Sequence, residues 1–319
     1  MLNNAINKNM KQITNNIMMI EPVLFNFNAQ TALDNHYQSD ISILSEKQIQ
    51  NKALLEFNNF VSALKAKFIN TIVVKDSINP HTPDSIFPNN WVSFHANGSI
   101  CLYPMLAKNR RLERREDIIS LIKNSFSVSE IVNYSHYENT NLFLEGTGSM
   151  ILDRENKICY AAQSKRTDPN ILKEFCEKLK YKSVVFNAYQ DVGAKRLPIY
   201  HTNVMMSIAD EYVIICLESI DDSVERSLVI NSIKSSNKKI IEISESQVNS
   251  FAGNMLQVMG DKPYLVMSNS AYLCLSFDQI ALIESFNEII HVDLSTIESY
   301  GGGSARCMMA EIFLPLKND

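Results

Sequence analysis

The sequence predicts an α/β fold made of five units, each with the order strand, strand, helix, strand. Two observations support this prediction. Segments with helical spacing of apolar residues alternate with short β-branched runs and turn signals. Polar or reactive residues recur at intervals of 61, 56, 53 and 53 residues: Asp84, Glu145, His201, Asn254 and Cys307. A nearly constant period of this length is typical of repeat architectures, so five similar units account for nearly the whole chain.

The predicted elements follow this order along the chain. Helical spacing predicts helices at 46–68, 116–126, 169–179, 224–233 and 277–286. β-Branched and aromatic runs predict strands at 17–25, 71–74, 100–103, 130–134, 158–161, 183–186, 212–216, 239–243, 264–267 and 288–292. Further strands are predicted at the recurring residues, at 145–152, 201–208, 251–258 and 308–313. Asn97 and Gly98 together predict a hairpin turn before the strand 100–103.

The ends of the chain are expected to meet. The last unit lacks a return strand, and the strand 17–25 would supply it by pairing with 308–313. A cyclic arrangement would then bring the five recurring residues to one central cavity. We therefore predict a flexible polar arm at residues 1–16, of which 1–14 could be removed at little cost, and a single domain at residues 17–319. The alternative is two domains that divide near residues 165–169.

Composition excludes several classes of protein. The chain has 319 residues with 45% hydrophobic and 20% charged residues, as in ordinary globular proteins. Its net charge of -5 argues against a nucleic-acid or anionic-membrane partner. Apolar runs are too short for a membrane helix, and the Asn-rich N-terminus lacks a signal sequence. Six cysteines without a CxxC pair predict reduced thiols, no metal site and a cytoplasmic location; no cofactor is predicted.

The stretch 299–311 is the strongest candidate for chemistry. Three glycines run into Arg306 and Cys307, and Cys307 opens the apolar run 308–313. Glycine allows the backbone to turn tightly beside a ligand, and a nearby cation favours the reactive thiolate. Cys307 is therefore a candidate nucleophile. The alternative is an ordinary buried cysteine, since free cysteine is usually a small core residue.

The other recurring residues also have ordinary explanations when taken singly. Asp84 is typical of a turn, Glu145 of a surface loop, and His201 of a hydrogen-bonded structural histidine. Asn254 follows a glycine and is interpreted as a turn residue. The common order and period of Asp84, Glu145, His201 and Cys307 favour a shared functional site over four separate coincidences.

Four motifs in order resemble the guanidine-group-modifying, or pentein, superfamily. They are Pro-Asp-Ser-Ile-Phe-Pro-Asn-Asn at 83–90, Leu-Glu-Gly-Thr-Gly at 144–148, His-Thr-Asn at 201–203 and the glycine-rich segment 301–307. The superfamily contains arginine deiminases, dimethylarginine hydrolases, agmatine deiminases and amidinotransferases. The chain is most similar to the branch described as citrulline-utilisation hydrolase-like. The resemblance, over roughly residues 80–315, implies a five-bladed α/β propeller with pseudo-fivefold symmetry.

The resemblance also implies a reaction. Cys307 would attack a guanidinium carbon and form a covalent thiouronium intermediate. His201 would protonate the departing nitrogen and then activate water, because an imidazole titrates near neutral pH. Glu145 would bind the histidine or the guanidinium, and Asp84 would contact the guanidinium. The product would be a ureido compound plus ammonia or an amine.

One pair of residues departs from the family pattern. Dimethylarginine hydrolases carry an acidic pair where this chain has Asn89 and Asn90. Two neutral amides in place of two carboxylates would bind a cation less strongly. They could suit a ureido group, such as that of citrulline, or a larger guanidino compound. A substrate carboxylate would need a basic residue, for which Arg306 is the candidate. Lys195 and Arg196 are interpreted as solvated loop charges.

The leading hypothesis is a hydrolase of non-peptide C–N bonds in a small guanidino or ureido compound. An amidinotransferase is the enzymatic alternative, because it uses the same cysteine and passes the amidino group to an amine. A non-catalytic binding protein with the same fold is the third hypothesis. The sequence leaves the oligomeric state open, a homodimer included.

Overall fold

The structure, a computed structural model, describes residues 11–38 and 44–317 and has a mixed α/β fold. Five three-stranded sheets share one pattern, in which an antiparallel pair is followed by a third strand parallel to the second. One further two-stranded hairpin lies between the third and fourth units in the chain. The predicted α/β class and the predicted order of elements are confirmed.

The bounds of the elements within the described ranges are as follows. The strands are β1 (Asn16–Glu21), β2 (Asn70–Lys75), β3 (Val92–Phe94), β4 (Ser99–Leu102), β5 (Glu130–Asn133), β6 (Ile151–Asp153), β7 (Ile158–Ala162), β8 (Lys182–Phe186), β9 (Tyr189–Val192), β10 (Lys195–Pro198), β11 (Met206–Ile208), β12 (Tyr212–Ile215), β13 (Lys239–Glu242), β14 (Leu256–Met259), β15 (Pro263–Ser268), β16 (Glu288–Val292) and β17 (Ala310–Glu311). The helices are α1 (Glu46–Ala66), α2 (Glu116–Ser125), α3 (Gly146–Ser149), α4 (Pro169–Leu179), α5 (Ser223–Ser235), α6 (Glu245–Val248), α7 (Asn269–Cys274), α8 (Phe277–Glu284) and α9 (Ser295–Gly301).

Local sequence accounts for the longest helix. Ser45 and Gln48 form a capping box at the N-terminus of α1, in which each side chain bonds the other residue's backbone N–H. The buried face of α1 repeats at helical spacing and includes Phe57, Phe60 and Leu64. The helix therefore forms where the sequence predicts it, and its apolar face contributes to the core.

The two ends of the chain pair as predicted. Ile17 and Met18 of β1 lie opposite Glu311 and Ala310 of β17 in an antiparallel arrangement, and β1 runs parallel to β2. The C-terminal strand is shorter than the predicted 308–313, because the segment before it turns tightly around Cys307. One sheet thus contains both the first and the last strand of the described chain.

Residues just before β1 belong to the packed structure. Gln12 and Ile13 are buried. The Gln12 amide donates to the carbonyl of Leu152 and accepts from the backbone N–H of Arg154, at 3.0 and 2.7 Å. The Thr14 hydroxyl donates to the carbonyl of Ile312 at 2.8 Å. Removal of 1–14 would therefore cost these contacts, contrary to the expectation from the sequence; residues 1–10 of the predicted arm lie outside the described residues.

The hydrophobic core lies between neighbouring sheets. One cluster joins Met18 and Ile20 of β1 to Phe94 and Ile100 of the β3–β4 pair and to Ile122 of α2. Other clusters join the sheets of β6–β8, β11–β13 and β14–β16 in the same way. Each unit therefore buries its apolar face against its neighbours rather than within itself.

Two predictions about local structure are wrong. The segments predicted as strands from Glu145 and His201 begin as single helical turns, at Gly146–Ser149 and Thr202–Val204. Arg196 is not a solvated loop charge: it lies in β10 and pairs with acidic residues, including Asp221 at 2.6 Å. The recurring residues therefore stand at turns that lead into strands, where the backbone can aim a side chain inward.

No helix within residues 11–38 and 44–317 combines the length and the apolar character needed to span a bilayer.

The fragment 170–319 is expected not to fold alone. It would contain β8 without its partner β7 and β17 without its partner β1, so two strand edges and their apolar faces would be exposed. Expression of the fragment beside the full chain, followed by solubility and thermal-melting measurements, checks this. A soluble fragment with a cooperative melt would support two domains instead of the single predicted domain.

Candidate active site

A small buried cavity brings most of the recurring residues together. Its lining includes Asp84, His201 and Cys307, and the fully buried Glu145 contacts it through His201. The free volume of the cavity is about 20 Å³. The remaining lining residues are Thr31, Asn35, Phe87, Asn90, Arg110, Arg166, Tyr200, Gly301, Gly302 and Gly303. Side chains that lie far apart in sequence therefore converge on one polar space.

The sulfur of Cys307 is held by two side-chain amides. Asn203 Nδ2 and Asn254 Nδ2 donate to Cys307 Sγ at 3.3 and 3.2 Å. Asn254 Oδ1 accepts from the backbone N–H of Arg306 at 3.0 Å, which fixes the amide in this orientation. Donors aimed at the sulfur stabilise negative charge on it. The arrangement suits a nucleophile better than an ordinary core cysteine.

His201 forms a buried pair with Glu145. The distance between His201 Nε2 and Glu145 Oε2 is 2.8 Å. An ionised carboxylate can only accept, so the neutral imidazole carries its proton on Nε2. Nδ1 lies against Gly148 and forms no hydrogen bond among the described residues. The histidine is thus oriented by one nitrogen and free to exchange a proton at the other.

Opposing effects set the pKa values of this pair. Burial acts to raise the pKa of Glu145, but the charge of Arg166 and the bond to His201 outweigh it and hold that pKa below its usual range. Burial lowers the pKa of His201, although Glu145 acts in the opposite direction. Glu145 is therefore ionised and His201 neutral near pH 7.

Two glycines make room for this pair. Gly146 has a φ of +48°, and a Cβ there would lie 2.3 Å from the carbonyl oxygen of Asn89. A Cβ on Gly148 would lie 2.4 Å from Asn90 Nδ2 and 2.9 Å from His201 Nδ1. A Cβ at either position would require its neighbours to shift, so the packing favours glycine at positions 146 and 148.

Two buried arginines are paired with carboxylates around the cavity. Arg166 contacts Glu145 at 3.3 Å and forms two hydrogen bonds to Asp34. Arg110 bonds both oxygens of Glu113, each at 2.9 Å. Pairing of this kind offsets the cost of burying charge.

Asp84 and Asn90 each have one buried polar side-chain atom without a hydrogen-bond partner among the described residues. Asp84 Oδ2 accepts from Asn28 and Thr31 at 2.8 and 2.9 Å, whereas Oδ1 is buried without a partner among the described residues. Asn90 Oδ1 accepts from Arg110 at 2.8 Å, whereas Nδ2 is likewise unpaired. Burial raises the pKa of Asp84, with Arg110 opposing it. An unpaired acceptor and an unpaired donor thus belong to residues that line the same cavity.

Two predicted substrate-binding residues lie elsewhere. Arg306 is directed away from the cavity, where it donates to Glu311 at 2.6 Å and to the carbonyl of Met309 at 2.9 Å. Asn89 is buried but does not line the cavity. Their positions do not support the predicted contacts with substrate, because neighbouring residues on a tightly turned backbone point in different directions.

Sequence reasoning missed the arginines and the amides of the site. Asn254 stood at the expected interval, and Asn203 belongs to the histidine motif, so both could have been found by requiring every unit to contribute. No sequence signal singles out Arg110, Arg166 or Asp34, because their pairing depends on contacts between distant segments. Within the described ranges, no group of three or more His, Cys, Asp or Glu side chains could hold a metal ion.

The fold is that of the guanidine-group-modifying superfamily. Residues 21–314 match the family described as N,N dimethylarginine dimethylhydrolase, eukaryotic, and the chain belongs to this family. The predicted superfamily is thereby confirmed. A comparison with curated protein sequences found no match.

Solved structures share the fold at low sequence identity. Cyanobacterial ArgZ, an arginine dihydrolase, is 17% identical with a TM-score of 0.71 over 95% of this chain and 41% of its own. Its N-terminal domain, as a variant covalently bound to a reaction intermediate, is 17% identical with a TM-score of 0.68 over 94% and 98%. The dimethylarginine hydrolase DDAH from Pseudomonas aeruginosa, complexed with citrulline, is 14% identical with a TM-score of 0.64 over 95% and 100%. The chain thus spans about two fifths of full-length ArgZ.

Replacement of Glu145 by Gln is expected to destabilise the protein at pH 7 by about 3 kcal/mol, because it leaves Arg166 buried with less compensation. The pKa of Glu145 is lower in the folded state than in the unfolded state. The loss should therefore be complete above about pH 5 and shrink as the pH falls below the unfolded value.

Denaturant unfolding at several pH values measures this loss. Glu130→Gln, in a surface ion pair with Lys178, is the control and should show no measurable change. Equal effects of the two substitutions would contradict the charged state assigned to Glu145.

Proposed function

We propose that this protein is a cysteine-dependent hydrolase that cleaves a C–N bond of a guanidino or ureido compound. One observation carries the proposal: Cys307 and His201 line the same closed cavity as a carboxylate with an unpaired oxygen, that of Asp84. A nucleophile, a proton carrier and a group that binds planar N–H donors are what the reaction requires.

The first half of the reaction forms a covalent intermediate. The thiol proton of Cys307 passes to His201 Nδ1, and the sulfur attacks the central carbon of the substrate. The imidazolium, stabilised by Glu145 at 2.8 Å, then gives the proton to the departing nitrogen. A C–S bond forms, a C–N bond breaks, and ammonia or an amine leaves. A guanidino substrate yields a thiouronium intermediate.

The second half consumes water. His201 Nδ1 accepts a proton from a water molecule as its oxygen attacks the intermediate carbon, and the C–S bond breaks. The sulfur leaves as a thiolate, which the amides of Asn203 and Asn254 stabilise by their hydrogen bonds at 3.3 and 3.2 Å. The proton on His201 returns to the sulfur. The product from a guanidino substrate releases its remaining hydroxyl proton, taken up by the departed ammonia or amine, and carries a carbonyl where the departing nitrogen was bound.

A carboxyl group without a full set of partners supports a cationic substrate. Asp34 and Glu145 pair with Arg166, and Glu113 pairs with Arg110, whereas Asp84 lines the cavity with an oxygen that has no partner among the described residues. A substrate guanidinium would donate to this Oδ1 of Asp84 and would favour its ionised form. Asp84 is thus the carboxyl group that such a substrate would meet in this cavity.

The unpaired amide of Asn90 supports a ureido substrate as well. A guanidinium has only donors, so it would leave Asn90 Nδ2 without a partner. A ureido group has N–H donors for Asp84 Oδ1 and a carbonyl oxygen that can accept from Asn90 Nδ2. We therefore propose that the site also accepts ureido compounds, citrulline included.

We also propose that the five sheets form a closed propeller with pseudo-fivefold symmetry, which the pairing of β1 with β17 supports. The six cysteines form no disulfide, in keeping with a reducing compartment such as the cytoplasm.

Cys307→Ser should reduce the release of ammonia or an amine from arginine, methylated arginines and citrulline by at least about a thousandfold, because the nucleophile is lost. Assays with and without glycine, scored for citrulline, ornithine and guanidinoacetate, separate hydrolysis from amidino transfer. Cys274→Ser, at a partly exposed cysteine outside the cavity, is the matched control and should keep full activity.

Unchanged turnover by Cys307→Ser would refute the proposed nucleophile. Guanidinoacetate formed only with glycine would identify an amidinotransferase. If wild type and Cys307→Ser bind a substrate equally and neither turns it over, the protein is a binding protein.

Asn90→Asp should shift preference from ureido to guanidino substrates. The change keeps the acceptor for Arg110 and replaces only the donor Nδ2, so the carbonyl of a ureido group would face an oxygen. We expect the ratio of kcat/KM values for citrulline and arginine to fall about tenfold to a hundredfold. Asn141→Asp, on a left-handed surface turn, is the control. An unchanged ratio would contradict the role given to Asn90.

A further inference from the structure

A buried carboxyl group lies behind the segment that carries the nucleophile. Glu298 belongs to α9, and only 4% of its surface is exposed. One carboxylate oxygen, Oε1, accepts from the hydroxyl of Ser304 at 2.6 Å, and the other, Oε2, accepts from the hydroxyl of Ser270 at 2.7 Å. Neither Glu298 nor Ser304 lines the catalytic cavity. The two residues thus form a contact that the proposed reaction does not use.

Ser304 carries the first side chain after three consecutive glycines. The glycines at 301–303 give the backbone unusual freedom, and that freedom must be removed before Cys307 can hold one position. Ser304 is fully buried, so its hydroxyl needs an acceptor inside the protein, and Glu298 supplies one. The bond between them therefore fixes the chain at the point where the run of glycines ends.

The backbone of Ser304 is joined directly to the nucleophile. Its carbonyl accepts from the backbone N–H of Cys307 at 3.0 Å, which closes a tight turn over residues 304–307. Within this turn the N–H of Arg306 donates to Asn254 Oδ1 at 3.0 Å, and the amide of Asn254 donates to Cys307 Sγ. Ser304 thus holds one end of the turn, and the sulfur lies at the other end.

Glu298 lies on an element that is itself held at both ends. In the first turn of α9, the N–H groups of Thr296 and Ile297 donate to the buried carboxylate of Glu56, at 2.9 and 3.0 Å. At the end of α9, the N–H of Gly302 donates to the carbonyl of Glu298 at 2.9 Å. The carboxylate of Glu298 therefore extends from a fixed helix toward the segment that follows it.

The bond from Ser304 also matters for the charge of Glu298. Burial raises the pKa of this carboxyl group, and the hydroxyls of Ser268, Ser304 and Ser270 oppose that effect. A hydrogen bond to an ionised acceptor is stronger than one between neutral groups. The contact is therefore strong enough to restrain a backbone that the glycines leave free.

We propose that Glu298 and Ser304 are positioning residues for the nucleophile. Glu298, through the hydroxyl of Ser304, holds the turn 304–307 and so keeps Cys307 Sγ against its amide donors. The inference rests on the proposed role of Cys307, and neither positioning residue touches the substrate. Their loss should therefore slow reactions at the sulfur and leave the binding of substrate unchanged.

Two serine substitutions at the same carboxylate test the proposal. Ser304→Ala and Ser270→Ala each remove one hydroxyl from Glu298, so they should lower the Tm by similar amounts. Only Ser304→Ala releases the turn that carries Cys307. We expect it to slow the alkylation of Cys307 by iodoacetamide about threefold to tenfold at a fixed pH, because the amides then hold the thiolate less well. Ser270→Ala should leave the rate unchanged.

Turnover of arginine separates positioning from a merely structural role. Ser304→Ala should lower kcat about tenfold with KM unchanged, because the groups that contact substrate stay intact while the nucleophile is misplaced. Ser270→Ala should keep both constants. Mass spectrometry of the peptides that contain the fully buried Cys101 and Cys159 checks folding, since these thiols should stay unlabelled in every variant.

Glu298→Gln covers the case in which Ser304→Ala does not fold. The amide keeps the shape of the side chain and accepts a weaker bond from Ser304, so alkylation of Cys307 should slow about twofold to threefold. Loss of a negative charge alone would favour the thiolate and speed alkylation, so slower labelling identifies positioning.

Equal alkylation rates in Ser304→Ala and Ser270→Ala, or an unchanged or faster rate in Glu298→Gln, would overturn the proposal. So would a rise in KM with kcat unchanged in Ser304→Ala. Alkylation uses no substrate, so its outcome is separate from that of the proposed hydrolase. The expected alkylation pattern without any turnover would contradict the proposed reaction and leave the positioning role intact.

Discussion

The buried contact between Glu145 and His201 is the interaction on which the rest of the site depends. A carboxylate with no exposure to solvent is costly, and Arg166, His201 and the backbone N–H of Leu106 together compensate it. Because these partners come from separate units of the chain, the charge can exist only when the units are assembled. The same contact fixes the tautomer of His201 and leaves Nδ1 without a hydrogen bond among the described residues. Stability and the proposed chemistry therefore rest on one ionised group.

The packing around this contact explains why the motifs contain small residues. Gly146 lies against the backbone of Asn89, and Gly148 lies against the side chains of Asn90 and His201. The acidic loop, the Glu-Gly turn and the histidine turn are therefore in direct contact rather than merely close. A side chain at position 148 would collide with Asn90 and His201, and one at position 146 would collide with the backbone of Asn89 and Asn90. The spacing of the motifs in sequence reflects this three-way contact.

The amides distinguish the two sides of the proposed reaction. Asn203 and Asn254 donate hydrogen bonds to the sulfur of Cys307. A neutral amide can bond the thiol and the thiolate alike, and it adds no fixed charge beside the sulfur. Asn90 belongs to the substrate side, where its free donor complements a carbonyl oxygen. Asp84 is the carboxyl group that lines the cavity beside this amide.

The sequence by itself determined the α/β class, the five repeating units, the pairing of the chain ends and the convergence of Asp84, Glu145, His201 and Cys307. These features follow from periodicity and from the order of motifs, which are local properties of the chain. The tertiary structure alone decided that Asn254 holds the sulfur, that Arg166 compensates Glu145, and that Arg306 faces away from the cavity. Such contacts join residues that are far apart in sequence, and their geometry depends on the direction of each side chain at a tight turn. The physical reason is that the charge state and the role of a buried group depend on the residues that contact it. Those residues come from different units, so they meet only in the assembled fold.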